Sequence, residues 1–473
     1  MRLYKVLEVA MNTYQYNDVH IIVLAAGKGS RMRSSLPKVL HNILGKSMLG
    51  HVLSSIETLN PQGIALVTGH ESEAVRKSIV HDHYVTMIDQ PEQLGTGHAV
   101  QQCEAACVNA TDVLIVCGDT PLLRASTLAS FIDQHRAADS SISLLSAMLD
   151  EPTGYGRVCR DANGHIEQII EERDANDAIK AIDEVSAGIF CVRKADLFDL
   201  IHAVENNNEQ GEYYLPDVVS LGISKGLKAN AFVMQDSTEM QGVNDRKQLR
   251  EVTELFQQRI IRYWEQEGVS IEQANTVRID FSASLGVDCT IRAGTQILGN
   301  SHIGDGCEVG PYAVVDRSWL DDDVQIHAFS HLEDAHIGTG SQVGPYARLR
   351  PDTKLDEGVK IGNFVEIKKS VIGHNSKVNH LSYIGDTTMG QDCNIGAGTI
   401  TCNYDGANKH QTIIGDNVFI GSDTKLIAPV QVGSRATLGA GSIITKMVKE
   451  DGLTLTVRPE QRYVKDWQRP TKE

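Results

Sequence analysis

A six-residue period constrains the second half of this chain more than any other feature. Ile291, Ile297, Ile303, Val309 and Val315 are spaced by six, as are Ile337, Val343, Leu349, Leu355, Ile361 and Ile367, and again Ile414, Ile420, Leu426, Val432, Leu438 and Ile444. Glycine follows many of them, as in Ile303-Gly304, Val309-Gly310, Ile337-Gly338 and Ile420-Gly421. An α-helix repeats about every 3.6 residues and a strand about every 2, so neither gives a strict six. The period fits a hexapeptide solenoid in which three hexapeptides make one triangular coil. The aliphatic residue of each hexapeptide points inward, and its small or glycine neighbour is expected to let the backbone turn the corner. Because the period holds in three separate blocks, a chance run in a Gly-rich β region does not account for it. The phase slips by one between Ile367 and Ile372, and residues 401–411 are the best candidate for a loop extruded from the coil.

The first half reads differently. Between residues 20 and 149 the apolar runs HIIVLAAG, GIALVTGH, VTMIDQ, DVLIVCGD and ISLLSAML alternate with helix-like segments. Such runs indicate buried parallel strands of an α/β domain. Less regular sequence continues to Gln241-Gly242-Val243-Asn244. Residues 245–268 then carry Leu249, Val252, Leu255, Phe256, Ile260 and Trp264 at helical spacing, which reads as an amphipathic connector. The expected division is an N-terminal extension at 1–18, a Rossmann-like α/β domain at 19–245, a linker helix at 246–268 and the solenoid at 269–473. The extension does not read as a signal peptide. Glu8 interrupts its only apolar run, no small-residue cleavage site follows, and Met11 is an alternative start. It is expected to be poorly ordered.

A formal charge of −17 argues against a nucleic-acid or membrane-surface binder, since both require a basic face. The 9 cysteines include no CxxC pair, so they read as reduced cytoplasmic thiols and not as a disulfide or zinc framework. No stretch is apolar enough to span a membrane. The 41 glycines with only 5% aromatics suit a repetitive, turn-rich fold.

Leu24-Ala25-Ala26-Gly27-Lys28-Gly29-Ser30-Arg31-Met32 follows the first predicted strand, and Lys38 lies just beyond it in Leu36-Pro37-Lys38-Val39-Leu40. It is neither a Walker A loop nor the dinucleotide GxGxxG. It does offer backbone N–H groups bared by small residues, flanked by cations, which is what a triphosphate requires. Taken alone, it reads equally well as a Gly-rich turn with solvated bases. Asp119 stands where a strand is predicted to end, the usual functional edge of a parallel sheet, although a lone Asp there is as readily a cap or turn residue.

These strings, together with Gln93-Leu94-Gly95-Thr96-Gly97-His98, Gly118-Asp119-Thr120-Pro121-Leu122, Pro152-Thr153-Gly154-Tyr155-Gly156-Arg157, Gln210-Gly211-Glu212-Tyr213-Tyr214 and Gly242-Val243-Asn244, occur in an order that resembles one family. It is the bacterial bifunctional N-acetylglucosamine-1-phosphate uridyltransferase / glucosamine-1-phosphate acetyltransferase family. The resemblance extends over essentially everything after residue 18. It implies that Leu24, Ala25, Ala26, Gly27, Lys28, Arg31 and Lys38 hold UTP, and that Gln90, Gly95 and Thr96 read the uracil. An amide side chain can meet the imide edge of uracil. The resemblance further implies Mg²⁺ on Asp119 and Asn244, hard oxygen ligands of the kind that ion prefers. Gly156, Glu171, Ser186 and Asn244 would meet N-acetylglucosamine 1-phosphate. Its phosphate would attack the α-phosphorus of UTP in line and release pyrophosphate. Two positions depart from the family: Cys117 stands where tyrosine is common, and Ser186 where an asparagine is expected.

The solenoid carries Arg348-Leu349-Arg350-Pro351, Gly362-Asn363-Phe364-Val365-Glu366-Ile367-Lys368-Lys369, His380-Leu381-Ser382-Tyr383, Asn394-Ile395-Gly396-Ala397-Gly398 and Thr401-Cys402-Asn403-Tyr404-Asp405-Gly406-Ala407-Asn408-Lys409. These resemble the acetyltransferase half of the same family, and from that resemblance comes the left-handed sense of the β-helix, an exception to the right-handed crossover rule. The resemblance implies that Arg350, Lys368, Tyr383 and Asn394 bind glucosamine 1-phosphate. Ala397, Asn403, Tyr404, Ser422, Ala440 and Arg458 would bind acetyl-CoA, Asn403 touching the sugar as well. Arg458 stands one residue later than the family pattern, and Lys446 could partly substitute. His380 would take the proton of the attacking amine, oriented by Glu366; a neutral imidazole suits that task. The product would be UDP-N-acetylglucosamine, a precursor of peptidoglycan and lipopolysaccharide, made by a homotrimer with acetyl-CoA sites between neighbouring chains. A solenoid exposes a flat flank suited to lateral association. Two other readings are a single-activity nucleotidyltransferase with a regulatory β-helix, and a solenoid that serves only as a trimerising scaffold. The first has no use for His380 or for the loop around Asn403, and acetyl-CoA binding by the isolated solenoid would decide the second.

Overall fold

The computed structural model describes residues 14–27, 29–69, 72–79 and 85–456. Lys28, Arg458 and most of the N-terminal extension therefore lie outside the described residues. The chain divides into two compact units between Phe256 and Gln257, inside the helix Arg246–Gln266.

The first unit is built on a mixed sheet. Its strands are β1 Val19–Ala25, β2 Gly63–Thr68, β3 Val85–Asp89, β4 Asp112–Cys117, β5 Ile142–Met148, β6 Glu184–Arg193 and β7 Ala229–Val233, in the order β7-β5-β6-β4-β1-β2-β3. The five apolar runs of the sequence are β1 to β5. Strands β1, β2, β3 and β4 are parallel, as expected. β6, however, lies antiparallel between β4 and β5, and a hairpin of Arg157–Arg160 and Ile166–Ile170 pairs beside it. Val19, Ile21 and Val23 of β1 face one apolar cluster while Ile22 faces another. Burial on both faces is why such strands read as unbroken apolar runs.

The start of the chain differs from expectation in part. Tyr16 is buried, donating its hydroxyl to the Ala129 carbonyl and to Asp133, and Asp18 pairs with Arg136. Residues 14–18 thus belong to the domain, because an aromatic side chain and an ion pair tie them to the helix Ala125–Ala137.

The second unit is a left-handed parallel β-helix with three sheets of 11, 10 and 9 short strands. Every residue of the six-residue series is buried. Successive coils pair in register, Ile297 with Val315 and Val315 with Leu332, so the one-residue slips in phase are absorbed without leaving the stack. The chain leaves the coil between Cys402 and Thr412, where the extruded loop was expected.

Not all of the glycines turn corners as their place in the period predicts. Gly310 and Gly344 do have positive φ, but Gly304, Gly338 and Gly421 do not. A Cβ on Gly304 or Gly338 would lie 2.6 Å from the backbone of the next coil, and on Gly421 2.4 Å. These glycines are there for close stacking. Many left-handed corners are instead taken by residues with side chains, among them Tyr312, Phe329, Tyr346 and Phe364, whose rings stack in a row at 5.4, 5.1 and 5.3 Å.

Candidate active sites

In the first unit a cavity of ≈ 480 Å³ opens at the ends of β1 and β4. Leu24, Ala25, Ala26, Gly27, Lys38, Gln90, Gly95, Thr96 and Asp119 all line it. Beyond β1, Gly29 takes a left-handed φ of 57°, and a Cβ there would run into Lys38 at 2.6 Å. Lys38 donates from Nζ to Asp119 and, at 3.2 Å, to Asn244 Oδ1. The Asp119 carbonyl in turn accepts from the Val243 N–H at 3.1 Å, which holds the Gly242–Asn244 segment against it. Two oxygen side chains from distant parts of the sequence thus converge on one positive charge. Arg31 does not join them; it is exposed and outside the lining.

Of the residues expected at the sugar, Gly156, Glu171, Ser186 and Asn244 are not among those that line the cavity. Cys117 lines it, and its Sγ packs 3.8 Å from the Gly188 carbonyl. Burial, and next the Asp119 carboxylate, push the Cys117 thiol up to about 12, so it is a packing group and not a nucleophile. Ser186 is buried on β6; its N–H donates to the Gly156 carbonyl at 2.8 Å and its Oγ accepts from the Gly188 N–H at 3.2 Å. The Glu171 carboxylate approaches Gly156 so closely that a Cβ there would meet it at 3.2 Å. Burial pushes the Glu171 carboxyl above its ordinary range, and Asp174, Asp217 and Glu212 act in the same direction.

Sequence reasoning missed Gln93 and Glu212, which also line the cavity. Gln93 donates to the Ala26 carbonyl at 2.6 Å and so ties down the loop after β1. Both residues stood in the quoted strings, but nothing in their type or spacing set them apart.

On the β-helix, His380 ends the strand Lys377–His380 and is exposed. Its Nδ1 meets Asn363 Oδ1 at 2.9 Å, one coil below. The expected partner, Glu366, does not meet it. Glu366 pairs in register with Tyr383, and its carboxylate is held by Arg350 at 2.8 Å. Asn363 lies under His380 in the coil, whereas Glu366 lies on the next sheet beside a guanidinium.

Arg350, Lys368 and Tyr383 share that sheet, and Lys409 from the extruded loop joins them. The Lys409 ammonium, followed by burial, pushes Lys368 below its ordinary value. Neither lysine has an ion-pair partner among the described residues. Two ammonium groups and a guanidinium crowded together form a place for an anion. Lys409 was quoted in the sequence but given no role, since a loop's return point is not encoded in a period.

Tyr383 Oη and Asn403 Nδ2 come together over Gly385, and Asn403 donates to Asp386 at 2.5 Å. The loop beyond it is closed by Asp405, which accepts from the Ala407 and Asn408 N–H groups and from His410. Tyr404 is exposed on that loop. Ala397, Ser422 and Ala440 are neighbours on successive coils: the Ala397 carbonyl accepts from the Asp423 N–H and the Ser422 carbonyl from the Gly441 N–H, both at 2.7 Å. Asn394 is on the adjacent sheet, between Lys377 and Phe419.

Comparison with known proteins bears on both units. Residues 21–185 match the MobA-like NTP transferase domain. Residues 282–317 match the bacterial transferase hexapeptide (six repeats), and residues 340–429 the GMPPB C-terminal domain. Three similar proteins, each named Bifunctional protein GlmU, match nearly end to end. That of Alkalilimnicola ehrlichii is 43% identical, covering 95% of this chain and 96% of its own length. That of Pseudomonas putida is 44% identical, covering 96% and 99%. That of Marinobacter nauticus is 42% identical, covering 96% and 100%.

Proposed function

The chain belongs to the family of bifunctional GlmU proteins, and we propose that it makes UDP-N-acetylglucosamine in two steps, one on each unit. The β-helix transfers acetyl from acetyl-CoA to the amine of glucosamine 1-phosphate. The α/β unit then transfers uridylyl from UTP to N-acetylglucosamine 1-phosphate and releases pyrophosphate. The enzyme is cytoplasmic and a homotrimer joined along the β-helix.

In the acetyl step Arg350, Lys368 and Lys409 take the sugar phosphate, and Tyr383, Asn394 and Asn403 meet the sugar. His380 accepts the ammonium proton, because an amine must free its lone pair before it attacks a thioester. Asn363 holds the imidazole, while Glu366 acts on Arg350. Ala397, Tyr404, Ser422, Ala440 and Arg458 serve acetyl-CoA.

In the uridylyl step the loop after β1 and Lys38 cradle the triphosphate. Gln90, Gly95 and Thr96 read the uracil, and Gly156, Glu171 and Ser186 meet the acetamido sugar. Asp119 and Asn244 fit Mg²⁺, since both oxygens already converge on the Lys38 ammonium. When bound, Mg²⁺ supplies charge neutralisation at the phosphates.

The observation that carries the two-activity reading is the crowding of Arg350, Lys368 and Lys409 on the β-helix face next to His380. A merely regulatory or trimerising solenoid has no need of it. Incubating the protein with glucosamine 1-phosphate, acetyl-CoA, UTP and Mg²⁺ tests it. UDP-N-acetylglucosamine and pyrophosphate are the expected products, and UDP-glucosamine with intact acetyl-CoA would reject the acetyl step.

A further inference from the structure

Gln90 is almost fully enclosed and lines the nucleotide cavity. Its two amide faces mean opposite things to a base: the oxygen accepts a hydrogen bond and the amino group donates one. The Gly95 carbonyl, which can only accept, lies 3.1 Å from Nε2. Turning the amide over would set oxygen against oxygen, so the amino group is pinned toward Gly95.

The same Nε2 lies 3.1 Å from His98 Nδ1, and on the far side of the ring Gln102 Nε2 lies 3.2 Å from His98 Nε2. A neutral imidazole has one N–H and one lone pair, so it cannot accept from both amino groups. Which way a primary amide points is decided by such accounting. Gln90 cannot turn. Gln102 can, giving up only a 3.3 Å bond to the His98 carbonyl. The consistent arrangement leaves the lone pair on Nδ1, facing Gln90, and the proton on Nε2, facing the Gln102 oxygen. Both amino hydrogens of Gln90 are then engaged. Its oxygen, which has no hydrogen-bond partner among the described residues, is left for a ligand.

We infer that His98 is a positioning residue of the first site. By accepting from the Gln90 amino group it keeps the Gln90 oxygen as the base-reading atom. The site thereby prefers uracil, which presents a ring N–H donor, over cytosine, which presents a ring acceptor at the same place. This rests on the proposal that Gln90 reads the base. With His98 gone, one of the two bonds that orient the amide is lost, and only the Gly95 carbonyl opposes the turned amide that would offer its amino group to cytosine.

The test is kcat/KM for UTP and for CTP, each with N-acetylglucosamine 1-phosphate, measured by pyrophosphate release on the full chain, with folding checked by circular dichroism. His98→Leu should lower the UTP/CTP ratio about tenfold, the factor that one neutral hydrogen bond supplies. His98→Asn places an accepting oxygen close to the Nδ1 position and should restore most of the ratio. A folded His98→Leu protein whose two rates fall together, with the ratio unchanged, would show a merely structural histidine and overturn the inference. So would a folded His98→Asn protein no better than His98→Leu. Gln90→Leu separates the two levels. If it leaves the ratio intact, Gln90 does not read the base and the underlying proposal fails. If it abolishes the ratio while His98→Leu does not, the inference about His98 alone falls.

Discussion

Gly385→Ala offers a way to disturb the acetyl-transfer site without disturbing the fold. Gly385 is buried and closes the strand Tyr383–Gly385, and its φ is not in the left-handed region, so alanine suits the backbone. An added Cβ would lie 2.5 Å from Tyr383 Oη and 2.8 Å from Asn403 Nδ2. Comfortable non-bonded contact begins near about 3.5 Å, so the tyrosine hydroxyl has to retreat by about 1 Å. That hydroxyl is the far end of a side chain that can swing, so the strain is small. Alanine also stabilises by about 0.4–1 kcal/mol through the unfolded chain. Net stability should therefore change by less than about 1 kcal/mol. Catalysis is less forgiving, since a misplacement of about 1 Å costs ~10²-fold. Acetyl transfer, followed by thiol release from acetyl-CoA with glucosamine 1-phosphate, should fall by about that factor, while the melting temperature and pyrophosphate release from UTP hold. Full acetyl transfer in the folded variant would refute the placing of Tyr383 and Asn403 on the sugar. A drop of many degrees in Tm would refute the claim that the side chains yield cheaply.

The two chemistries should separate. Asp119→Asn should sharply lower uridylyl transfer and spare acetyl transfer, while His380→Ala should lower acetyl transfer ~10²–10⁴-fold and spare uridylyl transfer, each rate being measured with its own substrates. Ser186→Asn should maintain or improve kcat/KM for N-acetylglucosamine 1-phosphate, because an amide offers a donor and an acceptor where Ser186 Oγ is already engaged by the Gly188 N–H; loss of activity in a folded variant would show geometry rebuilt around serine. Burial lowers the His51 imidazole to about 4, so the unfolded chain takes up this proton first as pH falls. The stability it contributes is complete above the ordinary histidine value and is lost between about 6.5 and 4, on the order of 3 kcal/mol. His51→Gln should flatten that part of the pH dependence of urea unfolding of the first unit, and an unchanged slope would refute it.

What the sequence disclosed and what it hid divide along physical lines. The inward residues of the β-helix were legible because burial at a fixed spacing leaves a period. Its corners were not. Tyr312, Phe329, Tyr346 and Phe364 hold left-handed backbone that ordinarily selects glycine, at a cost of roughly 1–2 kcal/mol each, and ring stacking between coils offsets that cost. Antiparallel β6 escaped notice in the first unit because Glu184, Ser186 and Gly188 break up its apolar run, and because Gly188 interrupts its register. The lining of the nucleotide cavity was read from local strings, whereas Lys409 needed the return path of a loop. The partner of His380 could have been found from the period itself. Between Ile279 and Ile395 one coil of this helix takes 17 or 18 residues, as the pairing of Asn363 with His380 and of Ile297 with Val315 shows. Stepping down one coil from His380 arrives at Asn363 and not at Glu366, and the same step from Tyr383 arrives at Glu366. In a solenoid the neighbour that orients a catalytic side chain is set by coil length, so counting residues predicts contact better than proximity within a motif does.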